Sequence, residues 1–307
     1  MKPTFILKCV YFLGGLLTSC AQTIGTTASE AGLHDAVVNP SDSSSEASEC
    51  SRTQDIEALF HQYNGSRIST VDVQQSAVRA LGHGNTLGDQ PIISADFLDP
   101  QASVNRLLSL ERRNSCLLAH WSGRASVDAG IVTVSYGGRR AELSPIVGSW
   151  GASYSQTIFG QTSLWHPGDR LVIAAGGGIV PAFETSLIFP GEIALYEPAQ
   201  PSANAPVELP RSPLQFRWEA SCSLIIEVRI TWSPSQNETA MIRCFFGGNQ
   251  SHGEVPRELV DQIPPSGAEH ITVSSANYQT VQAGRFSIHA QSRVFLLKAS
   301  LRFRPTP

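Results

Sequence analysis

Leu224-Ile-Ile-Glu-Val-Arg-Ile-Thr-Trp232 alternates apolar residues with mostly polar ones. This period of two is that of a β-strand whose side chains point alternately to opposite faces of a sheet. The stretch 294–303 repeats the alternation, with apolar residues at Phe295, Leu297, Ala299, Leu301 and Phe303. We therefore predict two long strands of an antiparallel sheet that has one buried face and one mostly wet face.

From residue 67 onward, the chain consists mainly of short apolar runs bounded by Gly, Pro, Asn or Ser, which is typical of strands. Further strands are predicted at 67–73, 76–82, 91–98, 115–121, 130–136, 155–160, 170–175 and 180–189. Helical patterns are confined to 55–62 and 256–263. Strands that recur about every 8 to 15 residues, with turn signals between them, predict an all-β fold with antiparallel β-sandwich architecture.

Three prolines and several small residues interrupt the strand patterns at Glu197-Pro-Ala-Gln-Pro-Ser-Ala-Asn-Ala-Pro206. We interpret this segment as a linker between a β-rich domain at 52–198 and a second sandwich domain at 207–307. The strand rhythm of the second domain is similar to that of fibronectin-like or immunoglobulin-like modules. Trp232, however, lies too close to Cys222 and Cys244 for the Cys, Trp, Cys arrangement of immunoglobulin domains.

The N-terminal segment carries Lys2 and Lys8, an apolar run that ends at Leu17, and small residues after it. Because this run is about half the roughly 20 apolar residues that a transmembrane helix needs, residues 1–19 are predicted to be a secretory signal peptide. Residues 20–51 contain many serines and no periodicity, so they are predicted to form a flexible, disordered tether.

Leu17-Thr-Ser-Cys20 resembles the lipobox of bacterial lipoproteins. The resemblance implies that Cys20 becomes the mature N-terminus, that it is lipidated, and that the lipid holds the protein to a membrane. Ala21 after the cysteine implies sorting to the outer membrane, on its periplasmic or its outer face. The alternative is an ordinary secretory signal that is cleaved near Ala21.

A second resemblance rests on a Pro-Gly-Asp turn, a Gly-rich turn and a Val-Pro-Ala-Phe segment, followed by later Trp and Cys-Phe positions. These motifs resemble a pattern of uncharacterised β-rich secreted proteins of myxobacteria, which implies no function. They lie at Pro167–Asp169, Gly176–Gly178, Val180–Phe183, Trp218, Cys244–Phe245 and Val255–Pro256.

The composition argues against nucleic-acid binding, because 22 basic residues face 26 acidic ones and the formal net charge is −4. Lys298 is the only lysine after Lys8, and arginine supplies every other basic side chain in that part of the chain. A genome rich in G and C explains this bias; recognition of a carboxylate or phosphate, which arginine contacts in a bidentate manner, is the alternative.

Motifs for catalysis are incomplete. The glycines at 176–178 are not followed by the Gly-Lys-Ser/Thr of a phosphate-binding loop, and the spacing around Ser251 is one residue too long for a nucleophile elbow. The histidines show no metal-ligand spacing, although His83 and His166 are predicted to lie in loops. We therefore expect no metal, no cofactor and no catalytic residues.

Aromatic residues supply the predicted binding site. Trp150, Tyr154 and Trp165 belong to a Gly-rich and Ser-rich region at 148–168. If this region is a surface loop, the three rings can stack on a sugar or contact a protein partner. The alternative is that the rings are buried in the core.

Four cysteines remain beyond the signal peptide and Cys20, which allows three disulfide pairings; they are Cys50, Cys116, Cys222 and Cys244. A hairpin turn near Pro234 would place Cys244 opposite residues 226–228 and leave Cys222 displaced by roughly 13 to 20 Å along the strand. That distance exceeds the Cα separation of about 7 Å that a disulfide tolerates. Cys222 and Cys244 are therefore predicted not to be bonded to each other, leaving free thiols or other pairings.

Three functions are compatible with these observations. The first, which we favour, is a non-catalytic, lipid-anchored envelope protein that binds a glycan or protein partner. The second is an envelope hydrolase whose active site assembles from distant loops, and the third is a purely structural surface lipoprotein.

Overall fold

A computed structural model describes residues 56–63, 69–76, 91–102, 106–122, 125–149, 151–158, 164–199, 201, 205–220, 225–236 and 238–304. The predicted signal peptide and tether, including Cys20, lie outside these residues. So do His83, Trp150 and Cys222.

Strands dominate the described residues, and the two helices, α1 (Ile56–Tyr63) and α2 (Arg257–Val260), are short. The first nine strands are β1 (Ser69–Ser76), β2 (Ile92–Asp96), β3 (Arg106–Arg113), β4 (Cys116–Ser122), β5 (Val132–Tyr136), β6 (Arg139–Leu143), β7 (Ile146–Gly148), β8 (Gly151–Thr157) and β9 (Arg170–Ala175). The others are β10 (Phe183–Ile188), β11 (Leu195–Glu197), β12 (Val207–Leu209), β13 (Leu214–Trp218), β14 (Ile225–Ser235), β15 (Glu238–Gly247), β16 (His252–Val255), β17 (Ala268–Ala283) and β18 (Phe286–Phe303). The predicted all-β class is confirmed.

Eleven strands form one large sheet in the order β3-β4-β15-β14-β17-β18-β1-β2-β8-β7, with β12 also paired to β18. Two smaller sheets have the orders β10-β9-β5-β6 and β11-β13-β16. The smaller sheets are antiparallel, but β1 and β12 run parallel to β18, so the large sheet is mixed. Side chains from all three sheets share one apolar core, which gives the fold its sandwich-like character.

The predicted division into two domains is wrong. Strands that precede the proline-rich segment pair with strands that follow it, because β4 pairs with β15 and β1 pairs with β18. The described residues from Ile56 to Arg304 accordingly form one compact unit. β15 and β18 are largely buried on both faces, and each has a neighbour from the N-terminal half, β4 or β1. The C-terminal strands therefore do not form a separate fibronectin-like or immunoglobulin-like module.

The prediction of one buried and one wet face is also only half right for β14. Ile226, Val228 and Ile230 lie in the main core as expected. On the opposite face, however, Ile225 packs in a second apolar cluster with α1, and Glu227 is 0% exposed. We call this second side of the large sheet the α1 face.

A disulfide joins Cys116 and Cys244, which are directly opposite each other on β4 and β15 with a Cα separation of 3.9 Å. Cys244 is also opposite Val228 on β14, as the hairpin argument predicted. Since Cys244 is bonded to Cys116, the prediction that it is not bonded to Cys222 is confirmed. In the described part of the chain, no helix has the length and apolarity needed to span a bilayer.

Candidate functional site

Two of the three rings of the predicted aromatic platform are buried. Tyr154 is 2% exposed and Trp165 is 0% exposed. The Trp165 ring packs against Tyr136 and Phe189, with ring centres 5.8 and 5.4 Å away. The alternative that these rings belong to the core is therefore correct for both, and Trp150 lies outside the described residues.

Tyr154 has a structural role that its environment explains. Its hydroxyl donates to Asp128 Oδ1 and accepts from the backbone N–H of Ala129, both at 2.8 Å. Burial of the ring raises the pKa of Tyr154 to about 12, and these hydrogen bonds modify that effect. Tyr154 thus ties β8 to the loop before β5 and is not available to a ligand.

Two of the residues considered for catalysis, His166 and Ser251, are described, and no hydrogen bond or ion pair joins them. His166 is exposed, and its Nδ1 lies 3.6 Å from Asp169 Oδ2. Ser251 lies in the turn before β16, where its carbonyl oxygen accepts from the backbone N–H of Trp218. Within the ranges that the structure describes, no three His, Cys, Asp or Glu side chains are grouped as metal ligands would be.

The α1 face instead concentrates charged side chains that the sequence scatters over four strands. Arg229 on β14 is directly opposite Arg243 on β15 and opposite Thr272 on β17. Thr272 is in turn opposite Lys298 on β18. One row across the four central strands therefore reads Arg243, Arg229, Thr272 and Lys298. Like charges directly opposite each other destabilise a sheet unless neighbouring groups compensate them.

Glu227 supplies that compensation from the adjacent row. Its carboxylate accepts a short hydrogen bond from Arg243 Nε, and bonds of 2.9 and 2.7 Å from Arg229 Nε and Nη2. The Tyr278 hydroxyl donates to it at 2.5 Å. Burial alone would raise the pKa of Glu227, but Arg229, Arg243 and the Tyr278 hydroxyl outweigh burial and lower the pKa to about 2.

A second buried pair continues the network. Arg293 on β18 donates to both carboxylate oxygens of Asp72 on β1, and its Nη1 lies 3.7 Å from Glu227 Oε2. Asp72, Glu227, Arg243 and Arg293 are all at most 5% exposed. With Arg229, the network contains three arginines and two carboxylates, so these five groups carry one positive charge in excess.

Helix α1 covers one end of this network. Leu59 and Phe60 pack in the second apolar cluster with Phe245 and Tyr278. Arg112 on β3 holds α1 against the sheet, because its guanidinium donates to both oxygens of Glu57 and lies 4.1 Å from the centre of the Phe60 ring.

The other end of the network opens into a pocket of about 180 Å³, lined by Arg229, Thr231, His270, Thr272, Arg293 and Phe295. Lys298 stands at its border, exposed, with Nζ 5.7 Å from the centre of the Phe295 ring. The Thr272 hydroxyl is buried and has no hydrogen-bond partner among the described residues. We call the surface formed by Arg229, Thr231, His270, Thr272 and Lys298 the open face.

A larger groove of about 660 Å³ follows the proline-rich segment. Its charged residues, Glu197, Glu208 and Arg304, are all exposed. Exposed charges are screened and loosely held, so this groove offers weaker electrostatic recognition than the open face.

The network is not among the sites predicted from the sequence, although the sequence contains a signal for it. Asp72 lies between two valines, and Arg243 lies between Ile242 and Cys244. A charged residue flanked by apolar neighbours in a strand is a candidate for a buried ion pair, because an isolated buried charge is too costly. Which charges pair depends on strand register, which the alternation alone does not reveal.

No protein-family model matches the chain, and no curated protein matches it either. The site is therefore interpreted from its geometry and charge.

Proposed function

We propose that the protein is a non-catalytic binding protein of the cell envelope, held to the outer membrane by a lipid on Cys20. In this proposal it recognises a glycan or protein partner with the open face. The lipobox residues Leu17–Cys20 support the anchor, and the open face replaces the aromatic platform as the recognition surface.

The observation that carries the proposal is the rigid support behind the open face. Its side chains project from β14, β17 and β18, the middle strands of the large sheet. The opposite side of those strands is the main core, and Glu227 fixes the guanidinium of Arg229 from the side. Groups that are already held in place lose little conformational freedom on binding, which favours affinity and specificity.

The surface can be tested with a double variant, His270→Ala with Lys298→Ala. Both side chains are exposed, so we expect the melting temperature to change by no more than about 3 °C. Retention on a panel of immobilised acidic and neutral envelope polysaccharides and purified envelope proteins should fall about 10-fold or more for the true partner.

Arg302→Ala is the matched control, because Arg302 is an exposed cation on the same strand as Lys298. We expect it to retain the partner as the wild type does. Undiminished retention of the double variant would exclude the open face as the recognition surface.

The anchor requires a separate test. Metabolic palmitate labelling of the wild type and of Cys20→Ser should give label in the wild type only. Label that persists in the variant, or that is absent from the wild type, would contradict lipidation at Cys20.

A further inference from the structure

We infer that the open face holds one oxyanion group, a carboxylate or a phosphate, between Arg229, Thr272 and Lys298. The inference names the chemistry of the partner and, in that respect, rests on the proposed function. The site itself can be tested with small molecules of known charge.

The strand register brings the three residues together. Arg229, Thr272 and Lys298 occupy directly opposed positions on three neighbouring strands. Neighbouring strands are about 4.8 Å apart, so the backbones of Arg229 and Lys298 are separated by roughly 10 Å with Thr272 midway. Two long cationic side chains at that separation can both reach a group that sits above the threonine.

The hydrogen-bonding groups around this position are incomplete without a ligand. The Thr272 hydroxyl is buried and has no partner in the described part of the chain. Arg229 uses Nε and Nη2 for Glu227, which leaves the Nη1 donors for a ligand. The oxygens of an anion in the pocket would accept from these Arg229 donors. The Thr272 hydroxyl faces away from the pocket without a partner, which is unfavourable, and a turn of the side chain about χ1 would let it donate to the same anion.

The charges favour an anion over a cation or a neutral group. Glu227 and Asp72, the two buried acids among the described residues, are both engaged by arginines. The network keeps one positive charge in excess, and the exposed Lys298 adds another at the border of the pocket. His270 faces the same pocket from the next row, opposite Thr231.

The size of the pocket limits the ligand. Pockets for drug-sized molecules are usually about 300–1,000 Å³, whereas this one has about 180 Å³. It can enclose one oxyanion and a small part of the molecule that carries it, while the rest extends past the exposed His270 and Lys298. The carboxylate of an acidic sugar and the phosphate of a phosphorylated sugar share this chemistry.

Lys298 provides a direct readout, because it is the only lysine after Lys8. The purified mature protein is treated with an amine-acylating reagent at constant ionic strength, and the acylation rate of Lys298 is measured by mass spectrometry. Glucuronate, glucose 6-phosphate, sodium sulfate and glucose are compared as protecting ligands. We expect the oxyanions to slow acylation about 5-fold or more at saturation and glucose to have no effect.

Three variants sharpen the test. Arg229→Gln should lower the apparent affinity for the protecting oxyanion by about 10-fold or more. The isosteric Thr272→Val should lower it by about 5-fold. Thr272→Val should leave the melting temperature of the unliganded protein unchanged or higher, since it removes a hydroxyl that has no partner. Arg302→Gln is the control and should protect as the wild type does.

If only glucuronate protects Lys298, the site binds a carboxylate. If only glucose 6-phosphate protects it, the site binds a phosphate. Either result supports the oxyanion site. Equal protection by glucose, or unchanged protection in Thr272→Val and Arg229→Gln, overturns it. If none of the oxyanions protects Lys298 while polysaccharide retention still depends on His270 and Lys298, the oxyanion site is excluded and the proposed recognition surface stands.

Discussion

Replacing Glu227 by Gln tests whether the buried network holds the large sheet together. The substitution keeps the shape of the side chain and one acceptor oxygen, but it removes the carboxylate that compensates Arg229 and Arg243. Only Asp72 would then face the three arginines of the network.

The expected loss follows from burial. The side chains of Glu227 and Arg243 are 1% and 4% exposed. Water therefore cannot solvate the charge of Arg243 that the substituted side chain no longer balances. Removing one partner of a buried ion pair costs about 3–5 kcal/mol of the free energy of unfolding. For a domain of this size, each kcal/mol lowers the melting temperature by about 2–4 °C. We therefore expect a fall of about 6–20 °C.

Thermal and urea unfolding, followed by circular dichroism, measure the loss. The control is Glu142→Gln, since Glu142 pairs with Arg140 at 3.0 Å but both side chains are more than half exposed. That variant should change the free energy of unfolding by less than about 1 kcal/mol. If Glu227→Gln is as mild as the control, the network does not stabilise the fold.

Three further predictions concern acid, the disulfide and the core. Burial, assisted by Arg243, lowers the pKa of His289 from 6.5 to about 4, so the free energy of unfolding should fall between pH 6.5 and 4 by at most about 3 kcal/mol. Urea unfolding of His289→Gln should show no such fall. Protonation of Glu227 should cause a second loss of stability between about pH 4.5 and 2. Replacing Cys116 and Cys244 by Ala opens a bridge between residues 128 apart in sequence and should cost about 2–5 kcal/mol, measured by urea unfolding; an unchanged midpoint would contradict this. Trp165→Ala should cost about 3–5 kcal/mol in the same assay, whereas a ring on the surface would cost almost nothing.

The alternating pattern was enough to predict the class and many elements. The pattern at 294–303 lies within β18, and the helical patterns at 55–62 and 256–263 overlap α1 and α2. β3 was missed because its sequence, Arg106–Arg113, is rich in charge and has little β-branching. It is a strand because it pairs along β4 at the edge of the large sheet.

Pairing between distant strands could not be predicted in the same way. A period of two says which residues share a face, but not which strand lies alongside. The two-domain prediction failed for this reason, and so did the aromatic platform, since the rings that bury Trp165 come from β5 and from the end of β10. The open face likewise exists only because β14, β17 and β18 are neighbours in a particular register.

The position of β1 has a consequence for how the chain is made. β1 is the first strand described, yet it lies inside the sheet beside β18, the last; Arg293 and Asp72, which join them, are 221 residues apart. A nascent chain emerges from its N-terminus, so one edge of β1 must stay unpaired until β18 has been made. Folding that depends on contacts between residues so distant in sequence is slow, and strand edges that stay unpaired meanwhile promote aggregation. A chain that stops before Phe286 should therefore be insoluble, not a smaller folded protein, and the chain that includes β18 should depend on a holding chaperone during synthesis.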